Sequence, residues 1–186
     1  MKQNRKLSIF TGMESINLAS YSDLFDSIAN TYILGKVKAI KTVNSVLIDT
    51  YWQIGKHIVT FEQGGVAKAE YGAALLEKLS KDLSLRYGKG FSLSNLKRFR
   101  QFYLVYPIGA TLSHQLTWSH YVELLKIENE LERSFYEKQT IADNWSIREL
   151  IRQKETSLFL RLASHRNKNE ILQLAGQGQV IEKPEV

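Results

Sequence analysis

The chain has 186 residues, 44% hydrophobic and 24% charged, with a formal net charge of +6, which is the make-up of an ordinary soluble globular protein. It contains no cysteine, which excludes disulfides and thiolate metal sites. No apolar run approaches the roughly 20 residues needed to cross a bilayer, and the basic start MKQNRKLSIFTGMES has no signal-peptide core, so a cytoplasmic location is expected.

Residues 1–21 show no sustained period and read as a flexible lead-in. Ser22 or Asp23 is a suitable N-cap for a long helix running to about Glu62. Along it Val37, Ile40, Val43, Leu47, Tyr51, Ile54, Ile58 and Phe61 step by three and four, close to the coiled-coil period. A helix of that length needs a long partner, from later in the chain or from a second copy, so a homodimer through this helix is one expectation. Gly55 interrupts the pattern at a cost in helix propensity and is read as a close-packing point. Gly64-Gly65 should end the helix through left-handed backbone.

The next helix, about Ala69 to Tyr87, would bury Ala73, Leu76, Leu79, Leu83 and Tyr87. Gly88 stops it, Gly90 keeps the turn tight, and Ser92 caps another helix with Asn95 at the capping-box position. That helix should bury Leu93, Leu96, Phe99, Tyr103 and Leu104. Ser94, Lys97, Arg98 and Gln101 then share its opposite face. Pro107 and Gly109 end it. Thr117 is the expected cap of a helix over Trp118–Lys126, Asn129 with Glu132 opens one to about Asp143, and Ser146 with Glu149 opens one running through Leu162. Beyond about His165 the polar sequence with Gly176 and Gly178 reads as a frayed tail or the start of a linker, residues 166–186. With no strand alternation anywhere, the expected fold is all-α: a long N-terminal helix, a helix-turn-helix-like pair and several shorter helices.

Charge is unevenly spread. No acidic residue occurs between Asp82 and Glu123, an interval holding Arg86, Lys89, Lys97, Arg98 and Arg100. In helix-turn-helix proteins the second helix enters the major groove, and Ser94, Asn95, Lys97, Arg98 and Gln101 include the types that read base edges. Arg86 and Lys89 could hold phosphates beside them, while Arg100 lies nearer the buried face. The alternative is a solvated basic helix face. Other chemistry has weaker support. The four histidines have no metal-ligand spacing, so neither metal nor cofactor is expected. Ser119, His120 and Glu123 crowd one short helix, which rarely gives triad geometry. Tyr103 and Tyr106 sit among aromatics at core spacing, and Trp52, Trp118 and Trp145 read as packing anchors.

Five ordered blocks carry a resemblance: YWQIGKHIV at 51–59, AEYGAALLEKLSKDL at 69–83, YGKGFSLSNLKRFRQFY at 87–103, LSHQLTWSHYVELLKI at 112–127 and FYEKQTIADNWSIRELIRQ at 135–153. Together they closely resemble the N-terminal domain of the YhcG-like family of PD-(D/E)XK nucleases, over about residues 22–165. The resemblance implies an all-helical DNA-binding module in front of a separate nuclease domain that carries the metal-binding residues. That catalytic half is not expected in this chain, so no catalytic residue is carried over to it and this chain is not expected to be an enzyme. Family members resemble companions of restriction–modification and other defence genes. That implies a nuclease or restriction-system partner, with a protein-interaction module as the rival reading.

Overall fold

A computed structural model describes residues 21–64, 74–109, 112–164 and 166–178. Among these residues the fold is all-α, with eight α-helices and no strand. The chain divides into two compact units, residues 1–40 and 41–186.

The described part of the first unit, 21–40, is the opening of helix α1 (Tyr21–Gln63). Ser22 and Asp23 lie inside this helix rather than capping it, and Tyr21, placed in the lead-in by sequence, is already helical. The rest of the expected lead-in lies outside the described residues. Tyr21, Phe25, Ile28, Tyr32, Ile33, Leu34 and Ile40 are each more than half exposed.

In the second unit α1 continues from 41 to 63, and its buried residues are Ile48, Trp52, Gly55, Ile58 and Val59. This corrects the expected stripe in part: Val43 and Leu47 face outward and Phe61 is 47% exposed, whereas Ile58 is buried and Tyr51 and Ile54 are half-buried against the second cluster. The reason is Gly55. A Cβ there would lie 2.8 Å from the Phe99 carbonyl carbon and 3.0 Å from Tyr103 Cβ, so two helix backbones touch at this point. That contact sets the helix rotation and carries Trp52 into the core, where its indole Nε1 donates to Tyr106 O at 2.6 Å. The helix ends at Gln63 as expected, but Gly64 is not left-handed, and Gly65 lies outside the described residues.

Helix α2 (Leu75–Tyr87) buries Leu75 and half-buries Leu76, Leu79 and Leu83, whereas Tyr87 is exposed, contrary to expectation. Residues 69–73, the expected start of this helix, lie outside the described residues. Gly88, at φ 89°, takes a backbone that side chains resist, and its N–H caps the helix on Ser84 O at 2.9 Å. A 3-10 turn (Lys89–Phe91) leads to helix α3 (Leu93–Val105), whose cap Ser92 accepts from Asn95 N–H at 3.3 Å. Leu96, Phe99 and Phe102 are its buried residues; Phe102 takes the place predicted for Leu104, which is 48% exposed.

Helices α4 (Trp118–Leu124), α5 (Glu130–Ala142) and α6 (Ile147–Glu155) begin at the expected caps Thr117, Asn129 and Ser146, each accepting a backbone N–H three residues on. The last predicted helix is two: Ser157 at φ 51° breaks it, and α7 (Leu158–Ala163) follows. Tyr136 holds the break from the core, its hydroxyl donating to Gln153 O and accepting from Phe159 N–H. The expected frayed tail is instead helix α8 (Lys168–Gln177), capped by Asn167. It packs on α5, burying Leu174 and Ala175, with Ser134 Oγ donating to Ala175 O at 2.7 Å. The main core gathers Ile48, Trp52, Phe102, Tyr121, Phe135, Tyr136, Leu150, Phe159 and Leu174. A second cluster, Ile58, Leu96 and Phe99, seats α2 and Trp118 against it.

Candidate nucleic-acid interface

Helix α3 is held on one side and open on the other. Its inner stripe Leu96, Phe99 and Phe102 is locked by Tyr51 stacked on Phe99, with centroids 4.5 Å apart, and by Trp118 against Phe99 and Phe102. With that stripe fixed, the 3.6-residue period turns Ser94, Lys97 and Gln101 to solvent. All three are exposed.

The eight candidate residues fall into different situations. Ser94 and Lys97 stand outward on the first turns of α3, and Lys89 is exposed in the 3-10 turn just before it. Arg86 is exposed at the end of α2, its guanidinium 5.3 Å from the Tyr87 ring centroid. Asn95 does not complete a capping box. Its Nδ2 donates to Gly90 O at 3.0 Å, closing the turn, and its Oδ1 accepts from Arg98 Nη1 at 3.1 Å. That bond aims the half-buried Arg98 along the N-terminal end of the helix. Gln101 presents its stem to solvent but gives its amide to Leu125 O at 2.9 Å.

Arg100 departs from the group. It lies on the opposite shoulder of α3, and its Nε bonds both carboxylate oxygens of Glu62, at 2.7 and 2.9 Å. Among the described residues, Arg86, Lys89, Lys97 and Arg98 pair with no carboxylate. The end of α2, the turn and α3 therefore carry four cations without an ion-pair partner among the described residues. The opening turn of α3 adds the positive end of a helix dipole beside them. The pairing of Glu62 with Arg100, 38 positions apart, has no local signature. Tyr87, expected in the core, is 60% exposed, and with Leu85, 89% exposed, it forms apolar surface beside Arg86.

Elsewhere the polar chemistry is consumed by structure. His120 contacts Thr117 Oγ1 through Nδ1 and Trp145 O through Nε2, and burial lowers its pKa. Glu123 pairs with Lys126 and Lys154, so Ser119, His120 and Glu123 do not assemble as a triad. Glu137 is buried and accepts from Tyr106 Oη at 3.1 Å; desolvation raises the pKa of both groups. Among the described residues no three His, Asp or Glu side chains gather as a metal site. An apolar hollow of about 310 Å³ lies between α1 and α2 and is lined by Ile54, His57, Ile58, Phe61, Leu75, Leu79, Leu83 and Leu96. It brings no set of polar groups to one point. No helix among the described residues is long and apolar enough to cross a membrane.

The sequence matches the DUF1016 N-terminal domain over residues 27–161. It is 37% identical over 196 residues to an Escherichia coli (strain K12) protein described as "Putative nuclease YhcG", a match covering 87% of this chain. The chain spans 52% of that relative's length. No solved structure matches it. On the extent of both matches, the chain belongs to the DUF1016 N-terminal domain family.

Proposed function

We propose that this chain is a helical DNA-binding module that positions a PD-(D/E)XK-type nuclease domain on DNA and supplies no catalysis itself. The observation that carries the reading is the group of four cations without an ion-pair partner among the described residues: Arg86 at the end of α2, Lys89 in the turn, and Lys97 and Arg98 on α3. Ser94, and Asn95 and Gln101 once released from their present bonds, offer the hydrogen-bonding types suited to base edges. Arg100 contributes through its hold on Glu62 rather than through a phosphate. The relationship to a nuclease supplies the setting, and a cytoplasmic location suits a module that works on DNA.

Neutralising four phosphates gives a log affinity that falls with log salt at a slope of about −3 to −4. Such contacts are weak at physiological salt, so the module gains from avidity supplied by a second copy or a tethered domain. A salt titration of the whole chain on a labelled 30-base-pair duplex tests the reading: a slope in that range supports it, and no binding at low salt removes it. The second reading, an interaction or dimerisation module of a defence- or restriction-associated complex, rests on the outward apolar residues of α1 between 21 and 40. The two are compatible, because they use different surfaces.

A further inference from the structure

We infer that residues 21–32 of α1 form the seam of an antiparallel homodimer, in which Tyr21 of one copy lies against Tyr32 of the other and Phe25 against Ile28. The inference deepens the dimerisation reading above and rests on it; it is independent of DNA binding.

Tyr21, Leu24, Phe25, Ile28 and Tyr32 follow the spacing of one helix face, and with Ala29 they line a shallow apolar hollow of about 270 Å³ on that face. Their exposures run from 40% for Leu24 to 82% for Tyr21. That leaves on the order of 700 Å² of apolar side chain uncovered per copy. A standard specific interface buries about 800 Å² per partner, so this stripe is on the scale a stable dimer needs. Monomers rarely leave such a patch open to water.

Charge argues against a parallel pair. Within 21–40 the acids are Asp23 and Asp26 and the bases are Lys36 and Lys38, segregated to opposite ends. The large apolar residues of the stripe stop at Tyr32, and Lys36 follows one turn later on the same face. A parallel, in-register pair would bring the two Lys36 ammonium groups together across the seam. An antiparallel pair centred between Asp26 and Ser27 sets them about 28 Å apart at 1.5 Å per residue. The same centre places Leu24 opposite Ala29, large against small, and Phe25 opposite Ile28. A two-fold seam of this kind is self-complementary, as an isologous contact must be.

The absence of native cysteine makes the test direct. Tyr21→Cys and Tyr32→Cys are prepared as separate full-length chains and oxidised alone and mixed. The antiparallel seam brings residue 21 level with residue 32 of the other copy, within disulfide reach, and holds like residues about 16 Å apart. The expected result is a disulfide dimer in the mixture and little in either chain alone. Sedimentation should give a dimer for the wild type, and a monomer of unchanged helicity for the doubly charged Phe25→Glu/Ile28→Glu, since both side chains are exposed and their loss leaves the fold intact. Self-crosslinking of each chain alone would overturn the antiparallel arrangement. A monomeric wild type at 100 μM, or a dimer that survives both charges, would overturn the seam altogether. DNA affinity measured on the same samples reports separately on the basic face.

Discussion

Replacing Gly55 with alanine tests the packing on which the candidate interface rests. The added Cβ would lie 2.8 Å from the Phe99 carbonyl carbon and 3.0 Å from Tyr103 Cβ, and nearer still to Phe99 O. Ordinary carbon contacts are about 3.5–4.0 Å, so α1 and α3 must separate by several tenths of an ångström or more. The obstacle is backbone, which no rotamer change removes. Overpacking costs about 1–3 kcal/mol, and this site belongs at the upper end. Alanine returns about 1 kcal/mol of helix propensity. The net loss is about 2 kcal/mol, or roughly 4–8 °C in melting temperature for a chain of this size. Gly35→Ala is the matched control, because nothing lies within 4 Å of its added Cβ; it should gain up to about 1 kcal/mol of helix stability. Circular-dichroism melting of both variants gives the answer. A Gly55→Ala chain that melts at or above wild type would refute the close crossing, and with it the account of how α3 is oriented.

Three further predictions follow from the same geometry. Ser92→Ala removes the side-chain acceptor for Asn95 N–H and should cost about 1 kcal/mol, read by urea denaturation, while Ser92→Asp should largely retain stability. Glu137 has its pKa raised above 4.5, chiefly by burial. The folded state therefore keeps this proton to higher pH than the unfolded chain does. Its contribution to stability is present below pH 4.5 and is lost as pH rises through the folded value. Glu137→Gln should thus gain on wild type as pH climbs from 4.5 to 8, and a difference that stays flat with pH would contradict the burial argument. Arg100→Gln breaks the pair with Glu62, so it should alter the salt slope of DNA binding by much less than one unit; Lys97→Gln should lower it by about 0.9.

What the sequence revealed depended on how local the cause was. The caps Ser92, Thr117, Asn129 and Ser146 all sit where expected, because capping is settled within four residues. The register of α1 was readable only in part: Tyr51, Ile54 and Ile58 pack inward and Gly55 is the expected close-packing point. Val43, Val46 and Leu47 are as apolar as a core stripe yet exposed, and the true face is fixed by a crossing at Gly55 with residues more than forty positions away. Helix α8 was missed because Leu174 and Ala175 become core only against α5. The break at Ser157 has no glycine or proline to announce it. The candidate site divides the same way. Ser94 and Lys97 are exposed as their period suggested, whereas Arg100 is claimed by Glu62 and the Gln101 amide by Leu125, both through space.

The central claim is that the outer face of α3 and its turn contact phosphate. It is tested most directly by charge reversal at Lys97 and Arg98, with Arg148→Glu on exposed surface of α6 as the control. Binding to a 30-base-pair duplex would be followed by anisotropy from low to moderate salt. Lys97→Glu/Arg98→Glu, still folded by circular dichroism, should weaken binding and flatten the salt slope by about two units, while Arg148→Glu should leave the slope unchanged. A double variant that binds with the wild-type slope would contradict that claim and move the contact to another face.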